Sequence, residues 1–248
     1  HWPVDTSLSQ ISQGTITATS STAYGYDDGV LTSKIDASAE GVTKTTFEPD
    51  GETVQVEEHW PVDTSLSQIS QGTITAASST AYDYDDGVLT SKTEAGAEGV
   101  TKTTFHPDGE TVQVEEHWPV DTSLSQISQG AITATSSTAY DYDDGVLTSK
   151  IDASAEGVTR TSFDLDGTTV AQEEHWPAGM VEHYNTGSVV SLGDPTSKIL
   201  YDHDPSGTLQ TKTETSAEGV IQGRYDDGVL SYQIAASTEG VTRTSFDL

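Results

Sequence analysis

The feature that most constrains this chain is a long stretch of sequence that occurs three times in succession. Residues 1–58, 59–116 and 117–174 are three copies of one sequence, here called the long repeat, and the first two copies differ at only six positions. A fourth region, 175–248, starts with the same His-Trp-Pro and then diverges, but it carries a shorter module twice, at 201–224 and 225–248. Single repeats of this kind cannot bury an apolar face alone, so they stack on their neighbours. We therefore predict an array with domain boundaries at these positions.

Glycines at a fixed spacing set the length of the structural elements inside each repeat. The same interval separates two glycines in every copy and in both short modules: Gly29 and Gly41, Gly87 and Gly99, Gly145 and Gly157, Gly207 and Gly219, Gly228 and Gly240. Since glycine is common in turns, the spacing predicts turns that bound strands of constant length. Acidic-Gly pairs at Asp28-Gly29, Glu40-Gly41 and Asp50-Gly51 favour tight hairpins.

The segments between these turns have the composition and alternation of β-strands. Val, Thr and Ser dominate them, and we predict strands at 15–19, 30–35, 42–47 and 53–56, which gives about four strands per long repeat. Hydrophobic residues make up only 33% of the chain, so the buried layer must be thin. The predicted fold class is all-β: an elongated repeat array, either a β-solenoid or a spiralling antiparallel β-sheet of stacked hairpins.

The charge of the chain excludes several classes of partner. The net charge is −30, from 40 acidic and 10 basic residues. Binding to nucleic acid depends on clusters of Lys and Arg that neutralise phosphates, so we expect no nucleic-acid partner. Self-repulsion of this size favours surroundings that are rich in salt or divalent cations. We expect an extracellular or cell-surface location and no membrane span, because no apolar run approaches the roughly 20 residues that a membrane helix needs.

One motif in each long repeat resembles a known family. The copy at Tyr82-Asp83-Tyr84-Asp85-Asp86-Gly87-Val88-Leu89 is followed by Glu98-Gly99 and then by Pro107-Asp108-Gly109. This pattern is similar to the YD repeat of the Rhs and teneurin families, and it covers about half of each long repeat and most of 201–248. The resemblance implies a long spiralling β-sheet, which in some members is a hollow shell around a toxin.

The acidic turns are candidate calcium sites. Carboxylates at alternate positions before a glycine can converge on a hard cation, which prefers several oxygen ligands. The candidate ligands are Asp83, Asp85, Asp86, Asp141, Asp143, Asp144, Asp164 and Asp166. The alternative is that these side chains bond to their own turn backbone and keep strand edges soluble. Apart from this possible calcium, we expect no cofactor.

The second motif is Glu-Glu-His-Trp-Pro, and every tryptophan of the chain lies in a His-Trp-Pro of this kind. The candidate ligand-binding residues are Trp2, Trp60, Trp118 and Trp176. Exposed Trp and Tyr rings could stack on polysaccharide, and a Glu-x-His pair could bind zinc or act as an acid-base pair. Because the motif recurs identically, we favour a structural role in which Trp packs between repeats and Pro ends a strand.

Together these patterns predict a non-enzymatic structural repeat protein, a segment of a longer surface fibre, adhesin or sheath. The alternatives are the wall of an Rhs-type toxin-enclosing shell and a polysaccharide-binding surface module. We expect the chain to self-associate head to tail, because it starts at the head of a repeat and stops inside one, which leaves strand edges that recruit another copy.

Overall fold

The structure, a computed structural model, describes residues 20–62, 64, 69, 74–120, 122, 127, 133–178 and 194–246. Its regular elements in these ranges are seventeen β-strands, and Ile69 and Ile127 have helical backbone. The described residues form two compact units, one within His1–Thr111 and Trp118–Ala131, the other within Val112–His117 and Ile132–Leu248. The prediction of an all-β fold is confirmed in each unit, whereas the domain boundaries at the ends of the long repeats stay a prediction.

Unit 1 is an antiparallel sheet in which each strand pairs with the next strand along the chain. Its strands are β1 Ser21–Asp27, β2 Val30–Ser38, β3 Gly41–Phe47, β4 Val54–Trp60, β5 Ser78–Asp85, β6 Val88–Gly96 and β7 Gly99–Phe105. Sequence neighbours therefore become structural neighbours, both where a short turn joins them and across the longer connection from β4 to β5.

Unit 2 follows the same rule from β8 to β17, with every described pairing antiparallel. Its strands are β8 Val112–Trp118, of which only the last residue belongs to unit 1, β9 Ser136–Asp143, β10 Val146–Ser154, β11 Gly157–Phe163, β12 Val170–Pro177, β13 Ser197–His203, β14 Leu209–Ser216, β15 Gly219–Asp226, β16 Val229–Ser237 and β17 Gly240–Ser245.

The period of the sequence reappears in the strand positions. β2, β6 and β10 are equally long and begin at Val30, Val88 and Val146, which are equivalent positions of the three long repeats. The register recurs as well, since Ser33 faces Thr46 in the first repeat and Ser91 faces Thr104 in the second. The prediction of about four strands per long repeat is confirmed for these three copies.

One predicted hairpin turn is confirmed in position and type. Asp28 and Gly29 connect β1 and β2, and both have positive φ, 46° and 86°. This backbone is that of a type I′ turn, whose twist matches the twist of the flanking strands. Gly29 supplies the second positive φ without a side chain that would be strained there.

The other two predicted turns are wrong in detail. The loop near Glu40 consists of Ala39 and Glu40, and Gly41 is already the first residue of β3. A side chain on Gly41 would put its Cβ 2.5 Å from the Trp60 carbonyl oxygen, so close strand approach, with φ of 136°, explains this glycine. The loop at Asp50-Gly51 spans 48–53 and is closed by a 2.8 Å bond from the Glu48 amide to the Thr53 carbonyl.

The strand predictions at 30–35 and 42–47 fall inside β2 and β3, and the one at 53–56 overlaps β4, which continues to Trp60. The predicted strand at 15–19 lies outside the described residues. Its equivalent in the second repeat, 74–77, precedes β5 and is not a strand. There Ile74 and Ala76 pack against the cluster around Trp60, and their burial in this small core takes the place of strand pairing.

The buried layer is thin, as the low apolar content predicts. In unit 1 one core cluster consists of Val42, Trp60 and Ile69. In unit 2 the described cluster consists of Ile151, Ala153, Val158 and Trp176. Each cluster has a tryptophan from the end of a Glu-Glu-His-Trp strand packed against a valine of the preceding strand, so the second motif of the sequence supplies the largest side chain of each core.

Candidate functional site

The side chains best suited to bind a ligand or transfer a proton lie on the Glu-Glu-His-Trp strands. These strands are β4 (57–60), β8 (115–118) and β12 (173–176). Successive side chains of a strand point to opposite faces of the sheet. Glu57 and His59 therefore share one face of β4, and Glu58 and Trp60 share the other. The flanking strands β3 and β5 place residues opposite them.

The tryptophans are buried. Trp60 lies opposite Val42, Trp176 lies opposite Val158, and Trp60, Trp118 and Trp176 are each only 6% exposed. Trp2 lies outside the described residues. Rings that are covered to this extent offer little face to a sugar, so their main described contact is with the core. Ligand binding by the tryptophans stays a prediction.

The Glu-x-His pair of β4 is divided between two different partners. The Tyr82 hydroxyl donates a 3.3 Å hydrogen bond to Glu57 Oε2, and Thr43 Oγ1 lies 3.0 Å from His59 Nδ1. The carboxylate is thus engaged on the β5 side and the imidazole on the β3 side. Each of the two groups has a hydrogen-bond partner of its own. Zinc binding or acid-base catalysis would require the two groups to point to one place, and here they point to different strands.

The same arrangement recurs in unit 2 with shorter bonds to the carboxylate. Tyr140 donates to Glu115 at 2.8 Å, Tyr201 donates to Glu173 at 2.6 Å, and Thr159 Oγ1 lies 3.0 Å from His175 Nδ1. Burial, and next the bond to the carboxylate, raises the pKa of Tyr201 above its ordinary value. A hydroxyl that keeps its proton remains a donor, which stabilises the glutamate charge at neutral pH.

The second glutamate of the motif forms an ion pair on the other face. Lys44 Nζ lies 3.3 Å from Glu58 Oε2 in unit 1, and Lys198 Nζ lies 3.5 Å from Glu174 Oε1 in unit 2. The side chains keep between 15% and 39% of their surface exposed, so water screens these pairs and each contributes little energy. With these ion pairs and the bonds from tyrosine, both glutamates of the motif have a partner on β4 and on β12.

Among the calcium candidates, Asp83 and Asp141 lie at a β-bulge and accept hydrogen bonds there. The Ser91 hydroxyl donates to Asp83 Oδ2 at 2.7 Å, and the Ser149 hydroxyl donates to Asp141 Oδ2 at 2.8 Å. The register shifts at this point because Thr90 has no opposite residue on β5. The Thr90 hydroxyl donates instead to the Asp83 carbonyl at 3.0 Å.

Four other candidates lie at the hairpin tips. Asp85 and Asp143 end their strands opposite Val88 and Val146, and Asp86 and Asp144 follow with φ of 48°. These four residues are exposed. Their places at the tip follow from the type I′ turn, in which Asp is tolerated at positive φ.

The last two candidates lie in the loop after β11. Asp166 accepts hydrogen bonds from the Thr169 hydroxyl and from the amides of Thr168 and Thr169. These bonds, that of the Thr169 hydroxyl first, lower the pKa of Asp166 to about 2. Asp164 Oδ2 lies 3.8 Å from His203 Nδ1.

Within the described residues, no three His, Asp or Glu side chains come together in a way that could hold a metal ion. The candidate carboxylates are separated into bulge, tip and loop positions. Calcium binding stays a prediction, and the described role of Asp83, Asp141 and Asp166 is to accept hydrogen bonds from nearby Ser, Thr and backbone amides.

Sequence reasoning missed the bulge and the Tyr-Glu bonds. The bulge had a visible signal, because a hydroxyl residue follows Val-Leu at Thr32, Thr90, Thr148 and Ser231. The Ser231 hydroxyl donates to the Arg224 carbonyl at 3.1 Å, just as Thr90 and Thr148 donate to their aspartate carbonyls. The Tyr-Glu bond joins residues 25 or 28 positions apart, a distance that no local pattern reveals.

Fold and site together define a class: an antiparallel β-repeat protein whose recurring element is a bulged Tyr-Asp hairpin. No protein-family model matches this chain, and no curated protein matches it. No helix in the described part of the chain is long and apolar enough to cross a membrane.

Solved structures with some similarity include crystal structures of TcdB2-TccC3. The form without the hypervariable C-terminal region has a TM-score of 0.31 and 16% identity, over 96% of this chain and 13% of that one. The TcdB2-TccC3-TEV structure has a TM-score of 0.26 and 13% identity, over 92% of this chain and 15% of that one. TcdB2-TccC3 itself has a TM-score of 0.24 and 13% identity, over 92% of this chain and 13% of that one. This chain therefore spans a small part of each, and a similarity of this size carries no argument about function.

Proposed function

We propose that this chain is a non-enzymatic, extracellular structural repeat protein and forms part of a longer surface fibre, adhesin or sheath. One observation carries the proposal: the side chains of the periodic Glu-Glu-His-Trp motif contact residues of the neighbouring strands. On β4 its two carboxylates, imidazole and indole contact Tyr82, Lys44, Thr43 and Val42. A motif whose ionisable groups are engaged in this way favours strand-to-strand packing over catalysis.

The charge of the chain supports an exterior with salt. A net charge of −30 on 248 residues opposes the close approach of strands and of other copies unless counterions screen it. Low ionic strength should therefore destabilise the array. If the acidic turns also hold calcium, millimolar calcium should raise the melting temperature more than sodium at equal ionic strength does, and equal effects would remove the calcium site.

Self-assembly is part of the proposal, and β17 supports it. Every residue of β17 is exposed, with Val241 72% exposed. Among the described strands, β17 pairs with β16 alone. A strand with an unpaired edge can add a strand from another copy, and repeated addition gives a ring or a fibre.

Sedimentation velocity and electron microscopy of the chain at raised protein and salt concentration test the assembly. We expect association that increases with both, because salt reduces the repulsion between acidic copies. The backbone amide of Val241 points away from β16, because hydrogen-bonded and non-hydrogen-bonded pairs alternate along the strand from the bond of the Phe246 amide to the Ser231 carbonyl. The substitution Val241→Pro removes this outward donor and should weaken association, whereas Val62→Thr, on an exposed residue between strands, should not. A monodisperse monomer under all these conditions would contradict the fibre proposal.

A second candidate is the wall of an Rhs-type shell around a toxin. The recurrence of the bulged hairpin at 201–248, where the long repeat is lost, supports it, since the short module alone then builds strands β14 to β17. The full reading frame decides between the candidates: a hydrolase or nuclease segment downstream favours the shell, and further repeats favour the fibre.

Polysaccharide is the third candidate partner. Tyr24 and Tyr26 are 57% and 64% exposed and could stack on sugar rings, unlike the buried Trp60. Binding to a glycan array that is lost in Tyr24→Ala and Tyr26→Ala, with an unchanged fold, would support a binding module. Binding that is lost only in Trp60→Ala would locate the site at the motif strand instead.

A further inference from the structure

The Asp-Gly bonds of this chain occupy two different structural settings. Four lie at the tips of two-residue hairpins: Asp28-Gly29, Asp86-Gly87, Asp144-Gly145 and Asp227-Gly228. Three lie in the longer loops that follow β3, β7 and β11: Asp50-Gly51, Asp108-Gly109 and Asp166-Gly167. The dipeptide is the same, but the hydrogen bonds around its side chain and its amide differ.

An Asp-Gly bond can rearrange without any co-reactant except water. The glycine amide nitrogen attacks the aspartate side-chain carbon Cγ, a C–N bond forms, and one carboxyl oxygen leaves as water together with the amide proton. The product is a five-membered succinimide. Water then adds to either of its two carbonyl groups, which restores aspartate or gives isoaspartate, with no net change in composition. The reaction requires a free amide nitrogen and a carboxyl group that can be protonated so that water can leave.

In the longer loops both reacting groups are held. Asp108 Oδ1 accepts from the amides of Glu110 and Thr111, each at 2.9 Å, and Oδ2 accepts from the Thr111 hydroxyl. The Gly109 amide donates to the His106 carbonyl at 2.9 Å. The Thr111 hydroxyl and these amides lower the pKa of Asp108 to about 2, so the carboxylate stays ionised and lacks a leaving group.

The other two loops repeat this arrangement. Asp50 accepts from the amides of Glu52 and Thr53, and the Gly51 amide donates to the Glu48 carbonyl at 2.9 Å. The Gly167 amide donates to the Asp164 carbonyl at 2.9 Å. A side chain on Gly109 would put its Cβ 2.9 Å from Val88 Cγ1, so the loop is also packed against the neighbouring hairpin.

At the hairpin tips the aspartate carboxylate and the glycine amide differ from those in the longer loops. In the described part of the chain, no hydrogen bond involves the Asp86 carboxylate or the Gly87 amide, and both residues are exposed. A Cβ on Gly87 would have no atom within 4 Å, which shows open space beside the Gly87 Cα. The same open space surrounds Gly29 and Gly145.

We propose that Asp28, Asp86, Asp144 and Asp227 are sites of spontaneous isoaspartate formation in the folded protein, and that the loop aspartates Asp50, Asp108 and Asp166 are protected. Isoaspartate adds a methylene group to the main chain. A two-residue type I′ loop cannot absorb it while Asp85 stays opposite Val88. Each event therefore loosens the tip of one hairpin.

Peptide mapping of the aged protein tests the proposal. The intact folded chain is incubated at about pH 6 in water enriched in oxygen-18, digested and analysed by mass spectrometry with electron-transfer fragmentation, which separates aspartate from isoaspartate. We expect isoaspartate and oxygen-18 to accumulate on the order of tenfold faster at Asp86 than at Asp108, because two sets of hydrogen bonds must break at Asp108. Equal rates in the folded chain would overturn the proposal.

Two controls separate structure from local sequence. In concentrated urea the loop contacts are lost, so the rates at Asp86 and Asp108 should converge; a difference that persists undiminished would show that neighbouring residues alone determine it, and would contradict the proposal. The substitution Thr111→Val removes the hydroxyl bond to Asp108 and should raise the rate at Asp108 while Asp86 is unchanged. An unchanged rate at Asp108 would contradict the protective role of this bond.

Discussion

The motif strands of the two units, β4 and β12, carry the same four residues in different surroundings. In unit 1 the cation for Glu58 is Lys44, which lies opposite it on the preceding strand. In unit 2 the corresponding residue of the preceding strand is Arg160, yet the ion pair of Glu174 comes from Lys198 on the following strand. The charge partner has moved from one side of the motif strand to the other.

What the two strands share is an acceptor role for the first glutamate. β13 differs in sequence from β5, but each contains a tyrosine that donates to it, Tyr82 to Glu57 and Tyr201 to Glu173. The arrangement of hydrogen-bond partners therefore persists where the sequence of the next strand changes. We infer that the motif tolerates any neighbour that covers the tryptophan and supplies a hydroxyl and a cation.

Removing the tryptophan should have the largest effect. Trp60→Ala and Trp176→Ala each remove the largest side chain of a small core, so we expect each to lower the free energy of unfolding by about 3–5 kcal/mol. Urea denaturation followed by fluorescence measures it, and hydrogen exchange identifies the unit that loosens. Val62→Ala, at a side chain that is 53% exposed, is the control. A loss of stability at Trp60→Ala no larger than at Val62→Ala would show that Trp60 does not stabilise the core.

Removing a tyrosine hydroxyl should destabilise unit 2 more than unit 1, because the bond to the glutamate is shorter in unit 2. Tyr201→Phe removes a 2.6 Å bond to a carboxylate and should cost about 1–2 kcal/mol, while Tyr82→Phe removes a 3.3 Å bond and should cost about 0.5 kcal/mol. Tyr24→Phe, on an exposed ring, should leave stability unchanged. Equal losses at Tyr82 and Tyr201 would mean that the bond lengths do not distinguish the two strands.

Alkaline pH should affect unit 2 through the same bond. Burial and Glu173 raise the pKa of Tyr201 in the folded chain above the value of about 10 for an unfolded tyrosine. The stabilisation is therefore complete below about pH 10 and is lost as pH rises towards the folded pKa. Unfolding free energies between about pH 9 and 12 should fall, and they should fall less in Tyr201→Phe. An identical slope in both proteins would contradict this assignment.

The smallest effect should come from the exchanged cation. Lys44→Ala and Lys198→Ala should each cost about 0.2–1 kcal/mol, and the loss should shrink at high salt because water and ions screen the pairs. Arg160→Ala should change the free energy of unfolding by less than about 0.5 kcal/mol, because Arg160 is exposed and the ion pair of Glu174 is made by Lys198. A larger loss of stability at Arg160→Ala than at Lys198→Ala would mean that Arg160 is the cation that stabilises Glu174.

The architecture was predictable because it depends on local periodicity. The long repeat and the constant glycine spacing predicted the antiparallel strands, and β2 and β3 lie where the alternation placed them. The turn near Glu40 was displaced by one residue because Gly41 is needed for close approach to the Trp60 carbonyl and not for the loop itself. A pattern of residues cannot distinguish these two uses of glycine.

The site was less predictable because its contacts are long-range. Alternate aspartates suggested convergence on a cation, but the bulge at Thr90 places Asp83 beside Ser91 and away from the hairpin tip. The partner of Glu57 lies 25 residues further on, and the partner of Glu58 lies 14 residues back. Only the strand register brings these residues together.

A double-mutant cycle on Glu173 and Tyr201 measures whether the motif holds neighbouring strands together. The free energies of unfolding of the parent, Glu173→Ala, Tyr201→Phe and the double variant are measured in urea. We expect a coupling energy of about 1 kcal/mol, because each single change leaves the other group without its partner. Effects that add to within about 0.3 kcal/mol would contradict it, since the two residues would then not support each other across β12 and β13.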